Sequence, residues 1–149
     1  VRVLAVDVGR RRVGLAISDP TGTLARPLMT IVLPPGDARG GVDRVAREID
    51  RVAADLAADA DRIEMIVVGM PVRLDGSQNE STELVAAFVA GLRVRTTIPV
   101  TTEDERLTSR EAESRLAMTE RDWRKRKSRL DAAAAAVFLQ DYLDRRHSA

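Results

Sequence analysis

The chain has 149 residues, a formal net charge of +1, 44% hydrophobic and 32% charged residues. That length suits one domain around one core. No apolar run approaches the ~20 residues of a membrane span, and no signal-peptide pattern precedes the first strand, so a cytoplasmic protein without membrane contact is expected. There is no cysteine, which excludes disulfides, thiolate catalysis and cysteine–zinc sites. The single histidine, His147, is expected in a frayed tail, which leaves no basis for a serine–histidine triad. Chemistry must then rest on carboxylates, hydroxyls, Lys/Arg or a bound metal.

Residues 2–8 and 13–18 read as strands joined by a short turn at Gly9. A turn at "DPTG" (19–22) leads to a third apolar run, Leu28 to Leu33, with Pro27 at its start. Proline cannot donate to a ladder, which places this strand at a sheet edge. "PPGDARGG" (34–41) reads as a loop. Val42, Val45, Ala46, Ile49, Val52, Ala53 and Leu56 then follow the i, i+3, i+4, i+7 rhythm of an amphipathic helix. "IEMIVVGM" (63–70) is almost unbroken in its hydrophobicity, as in a strand covered on both faces.

A second helix carries Leu84, Val85, Phe88, Val89 and Leu92, with capping-box spacing at Ser77 and Glu80. A strand follows at about 98–104. Thr108 and Glu111 open a short third helix. A basic loop comes next, and an alanine-rich last helix runs from about Leu130 to Leu143. Strands joined by short turns pair antiparallel and strands separated by helices pair parallel. The expected architecture is α/β: a single mixed five-stranded sheet flanked by helices.

Three acids stand out. Asp7 closes the apolar run "VLAVDV", where a buried, unpaired carboxylate would be costly. Taken alone it is either a strand-end acid accepting hydrogen bonds from the Gly9 turn or a metal ligand projecting from the sheet's end. Glu103–Asp104–Glu105 ends the 98–104 strand, with Arg106 as a nearby cation. Consecutive acids repel unless something positive sits among them, and alternation forbids Asp104 and Glu105 from sharing a face of a straight strand. Asp131 is expected in the first turn of the last helix, where the helix dipole favours an acid. The small side chains that follow it would let that helix lie close to the sheet. With the first strand central, the three acids can converge. Oxygen ligands of this kind suit Mg²⁺ or Mn²⁺, ions that can hold and activate a phosphodiester.

The charge is unevenly spread. "RDWRKRKSR" (121–129) holds six cations against one acid, and Arg10–Arg11–Arg12 form a second cluster. Such patches report nucleic-acid contact better than net charge does. The low aromatic content, 3%, argues against extensive base stacking. Trp123 either stacks on a nucleotide or anchors the basic loop. Gly69 and Pro71 are expected to shape a loop at the site's rim.

"DVGRRRVGLAISD" (7–19), "VVGMPVRLDGS" (67–77), "DERLTS" (104–109) and "RKRKSRLDAAAAAVFLQDYL" (124–143) occur in the order of four family motifs. On these the chain resembles the YqgF/RuvX family of ribonuclease-H-like proteins, described as Holliday-junction resolvases or pre-16S ribosomal RNA nucleases. The resemblance spans nearly the whole chain. It implies a ribonuclease-H-like fold and a divalent-metal-dependent endonuclease using Mg²⁺ or Mn²⁺ on Asp7, Glu105 and Asp131, and it favours Glu105 over Asp104. It also implies nucleic acid, branched DNA or precursor ribosomal RNA, as the partner, with Arg10, Arg12, Arg106, Arg124, Lys125, Arg126 and Lys127 as contacts. Symmetric cutting of a four-way junction would need a homodimer, for which no decisive stripe is visible. The sequence departs from the pattern in its three arginines at 10–12 and in "LTS", and neither departure removes a ligand. Two rivals remain: a non-catalytic nucleic-acid-binding or ribosome-assembly module, and a fragment of an actin-like ATPase, which would need a second lobe.

Overall fold

The computed structural model describes residues 1–36, 38–71, 80–104 and 123–148, with the side chains of 38–40, 80–81, 123–131 and 148 set aside. In chain order it contains β1 (Arg2–Val8), β2 (Arg12–Ser18), β3 (Ala25–Val32), α1 (Ala38–Ala58), β4 (Ile63–Met70), α2 (Glu80–Arg95), β5 (Val100–Asp104) and α3 (Trp123–Ser148). The strand order is β3-β2-β1-β4-β5. β1 is central, antiparallel to β2 and parallel to β4, which is parallel to β5. The mixed five-stranded sheet expected from the element order is present. No helix among the described residues is long and apolar enough to cross a membrane.

Alternation along β1 divides the core in two. Leu4 and Val6 face α1 and α2, packing with Val45 and Ile49 of α1 and with Phe88 and Leu92 of α2. Val3 and Ala5 face the other way, onto Ala135, Ala136, Phe138 and Leu139 of α3. All seven apolar positions read as the inner face of α1 belong to the first cluster. Burying each large aliphatic side chain there contributes about 1.5–3 kcal/mol. Ser18 is the polar residue buried among these apolar ones. Its Oγ accepts the Val3 N–H at 2.9 Å and donates to the Asp19 carbonyl at 3.0 Å, so its burial leaves no orphaned group.

The turns follow local chemistry. Gly9 donates its N–H to the Arg12 carbonyl at 2.8 Å and closes the β1–β2 turn. A Cβ at this position would lie 2.7 Å from the Arg12 carbonyl oxygen, so only glycine fits. Asp19 organises the β2–β3 turn by accepting the N–H groups of Thr23 and Leu24 and the Thr21 hydroxyl. At the end of α1, the Asp61 N–H reaches the Leu56 carbonyl and the Ala60 N–H reaches that of Ala57, a Schellman cap with Ala60 at φ 57°.

The structure differs from the sequence reading in several places. β3 starts at Ala25, so Pro27 lies inside the strand. Its register shifts there, with Leu15 opposite Met29 and Ala16 opposite Pro27. β3 is nonetheless an edge strand, where a proline's missing donor costs no ladder bond. Residues 38–41 belong to α1 rather than to a loop. The last helix begins at Trp123, not near Leu130, so the basic run is helical rather than a loop. Arg, Lys and Leu are good helix formers and nothing after Trp123 breaks the chain. His147 lies within this helix with its Nε2 2.9 Å from the Gly22 carbonyl oxygen, so it is not frayed. The capping serine Ser77 and the short helix at Thr108 fall outside the described residues.

Candidate active site

Parallel pairing brings the carboxyl ends of β1, β4 and β5 to one edge of the sheet. Asp7 is the penultimate residue of β1 and is half-buried. Its parity with Val3 and Ala5 puts it on the α3 face. There Gly14 pairs with it on β2, and Gly69 is its neighbour on β4, one step beyond the Val6–Val68 pair. Gly69 in turn pairs with Glu103 of β5. The row across the sheet therefore reads Gly14, Asp7, Gly69, Glu103. Two glycines flank Asp7 in the neighbouring strands. A glycine inside a strand weakens it and marks close approach of another group.

On β5, Val100 packs with the α1/α2 cluster, so Thr102 and Asp104 share that face, and Glu103 takes the face of Asp7. Asp104 is thereby removed from the Asp7 side. Glu105 follows it directly and, with Arg106, lies outside the described residues.

α3 runs antiparallel to β1 and β4. Its C-terminal half is tied to the opposite edge of the sheet. Gln140 bridges the Ala25 N–H and the Thr23 carbonyl, both at 2.9 Å, the Tyr142 hydroxyl lies 3.3 Å from the Met65 sulfur, and Arg146 pairs with Glu64 at 2.9 Å. From Tyr142 back to Asp131 is about 16 Å of helix. From Met65 forward to Gly69 is about 13 Å of strand. The two lengths are comparable, and Asp131 immediately precedes the buried stretch that starts at Ala132. It lies two turns into α3 instead of in the first turn, so the helix-dipole account of this acid no longer applies. Its side chain is outside the described set, as are those of Arg124, Lys125, Arg126, Lys127 and Trp123. Arg10 is exposed in the β1–β2 turn, and Arg12, half-buried, is the first residue of β2. Gly69 stands in β4 rather than in a loop, and Pro71 follows the strand, its carbonyl accepting the Thr82 hydroxyl at 2.8 Å.

The donors around this row are oxygens. The one histidine is at the far edge against Gly22, and cysteine is absent. This donor chemistry fits a hard divalent cation such as Mg²⁺ or Mn²⁺. Among the described residues no three metal-ligating side chains gather, Asp7 being the one acid of the expected three whose side chain is described. The sequence reading missed Gly14 and the lateral role of Gly69. A glycine amid the apolar run 13–17 was the available signal, but only the register shows what it flanks.

A solved structure of Thermus thermophilus RuvC in complex with a Holliday junction substrate aligns with 99% of this chain and 96% of its own, at a TM-score of 0.57 and 19% identity. The fowlpox virus resolvase, solved with substrate Holliday junction DNA, aligns over 98% and 99% at 0.58 and 13%. These likenesses establish the ribonuclease-H-like fold. A protein of Anaeromyxobacter dehalogenans (strain 2CP-C) named "Putative pre-16S rRNA nuclease" is 39% identical over 146 residues, 98% of each chain. One of the same name from Koribacter versatilis (strain Ellin345) is 38% identical over 145 residues, 97% of this chain and 88% of its own. The family model described as "RuvX: Holliday junction resolvase" matches residues 1–145. With that match running from β1 into the last turn of α3, the chain belongs to the RuvX family.

Proposed function

We propose that this protein is a divalent-metal-dependent endonuclease that hydrolyses nucleic-acid phosphodiester bonds, with Asp7, Glu105 and Asp131 as its metal-holding acids. The observation that carries the reading is Asp7 at the shared carboxyl edge of three parallel strands, flanked in register by Gly14 and Gly69. Family membership and the relatives' names point the same way. The family match along residues 1–145 also leaves no support for an actin-like ATPase fragment.

A bound Mg²⁺ or Mn²⁺ would neutralise charge at the scissile phosphate and lower the pKa of water. The chain's own part is to position. Asp7 is set on a central strand hydrogen-bonded on both sides, which fixes its backbone more rigidly than a loop would. Arg10 in the adjoining turn, Arg12 at the start of β2, Arg106, and the cations at 124–127 hold flanking phosphates. Six cations occur within 121–129, where α3 begins, so binding rests largely on charge and weakens steeply with salt.

The test is side-by-side incubation of four-way-junction DNA, single strands and precursor ribosomal RNA with the protein and its Asp7→Asn variant, in Mg²⁺ and in Mn²⁺. Cleavage of one substrate class that requires metal and disappears in the variant supports the reading and names the substrate. Binding without cleavage of any of them would show a non-catalytic nucleic-acid module instead.

A further inference from the structure

The contact of α3 with the sheet joins a smooth part to a directional one. Ala135 and Ala136 pack in one cluster with Ala5 and Ala16. Small side chains on both partners offer shallow ridges and grooves, which oppose sliding of one element along the other only weakly. Phe138, Leu139 and Leu143 seat the helix further on, but apolar contact is non-directional. Direction comes from Gln140. Its Oε1 accepts the Ala25 N–H at 2.9 Å, and its Nε2 donates to the Thr23 carbonyl at 2.9 Å and to Asp144 Oδ1 at 3.0 Å. A backbone N–H only donates and a carbonyl only accepts, so the orientation of the amide is settled by its partners. Held at its oxygen and at its nitrogen by the backbone around one turn, this side chain lets α3 neither slide nor rotate without breaking a bond.

The anchor is itself stiff. Thr23 gives its N–H to Asp19 and its carbonyl to Gln140, and Asp19 also takes the Leu24 N–H. Other ties of the helix are looser. The Arg146–Glu64 pair is 42% and 34% exposed, and ion pairs in such surroundings stabilise little. The Tyr142 hydroxyl meets a thioether, a weak acceptor. Asp131 lies nine residues before Gln140 on the same helix, about 14 Å along its axis. A slip of one residue at Gln140 therefore moves Asp131 by about 1.5 Å, and a misplacement of about 1 Å is enough to disable a site. We infer that Gln140 is a positioning residue: it sets the register of α3 on the sheet and, through it, the place of Asp131 relative to Asp7. The role of Asp131 rests on the nuclease reading; the register does not.

The experiment compares the full chain with Gln140→Met and Ile31→Val. Methionine keeps the length and helix propensity of glutamine and removes its hydrogen bonds. Ile31→Val trims the core on the opposite face of the sheet and controls for a general loss of stability. The first readout, taken without metal, is the pattern of methyl NOEs from Ala135 and Ala136 to Ala5 and Ala16. The second is Mn²⁺ affinity, followed by water-proton relaxation. Gln140→Met is expected to stay folded by circular dichroism, to change the NOE pattern and to bind Mn²⁺ about tenfold more weakly, while Ile31→Val keeps both native. If Gln140→Met does not fold, Gln140→Glu, which keeps the acceptor for Ala25 and loses the donors, carries the same test. A native NOE pattern in the Gln140 variant, or equal weakening of Mn²⁺ binding in Ile31→Val, overturns the proposal. So does an altered pattern with native Mn²⁺ affinity where Asp131→Asn weakens binding. Native affinity in both Asp7→Asn and Asp131→Asn instead removes the nuclease reading, and the NOE pattern still decides the register.

Discussion

The two faces of the sheet are built from different side chains. Toward α1 and α2 the buried residues are bulky and branched: Leu4, Leu15, Ile31, Ile49, Ile66 and Leu92. Toward α3 many are small, with Ala5 and Ala16 against Ala135 and Ala136. The first face holds the larger cluster of buried apolar side chains, so more of the hydrophobic stabilisation falls there. The second trades burial for closeness, and its row ends in Gly14, Asp7 and Gly69, where side chains nearly vanish. On the proposed reading, stability and chemistry fall on opposite sides of one sheet, and the two sides should respond differently to substitution.

The largest contrast lies at Asp7. Asp7→Asn is expected to lower cleavage by at least about a hundredfold, since metal-held charge contributes several kcal/mol to such a transition state. Its melting temperature should change far less than its cleavage. On the bulky face Leu4→Ala should behave oppositely. Denaturant unfolding should show a loss of about 2–5 kcal/mol, while the folded fraction cleaves as before. Ala135→Leu tests the closeness of α3. Ala135 is fully buried against the sheet, so overpacking should cost about 1–3 kcal/mol. It should also reduce cleavage in the folded protein, because the helix that carries Asp131 is pushed outward. A variant with that stability loss and native turnover would break the contrast.

The smallest effect is at the far edge. Asp61 accepts bonds from Arg2 at 2.7 Å and from the Val1 amino group at 3.0 Å, and chiefly the Arg2 bond holds its pKa at about 2 instead of 3.8. A carboxyl depressed in the folded state stabilises fully above its unfolded value, and that contribution is lost as pH falls through the folded one. Unfolding measured from pH 5 down to about 2 should therefore steepen in the native protein and flatten in Asp61→Asn. Cleavage near neutral pH should not change.

The strands could be read from the chain because their hydrophobicity is dense. Residues 63–70 matched β4 at both ends, and α1 presented its expected face. The start of α3 could not be read that way. Arg124 to Arg129 offer no apolar rhythm, so a pattern-based reading sees a loop where propensity alone sustains a helix. That error placed Asp131 in a first turn. The acids themselves were visible, since a carboxylate closing an apolar strand is a local oddity. The two glycines that flank Asp7 were not, because they are neighbours only through register. Likewise the face taken by Glu103 depends on which residue of β5 pairs with Gly69.

The most direct measurement is Mn²⁺ binding, followed by water-proton relaxation, in the native protein and in Asp7→Asn, Glu105→Gln and Asp131→Asn. A single shared site predicts that each substitution weakens binding at least about tenfold while the fold, followed by circular dichroism, persists. Native Mn²⁺ affinity in any one of the three would contradict the convergence of these acids at the sheet's edge.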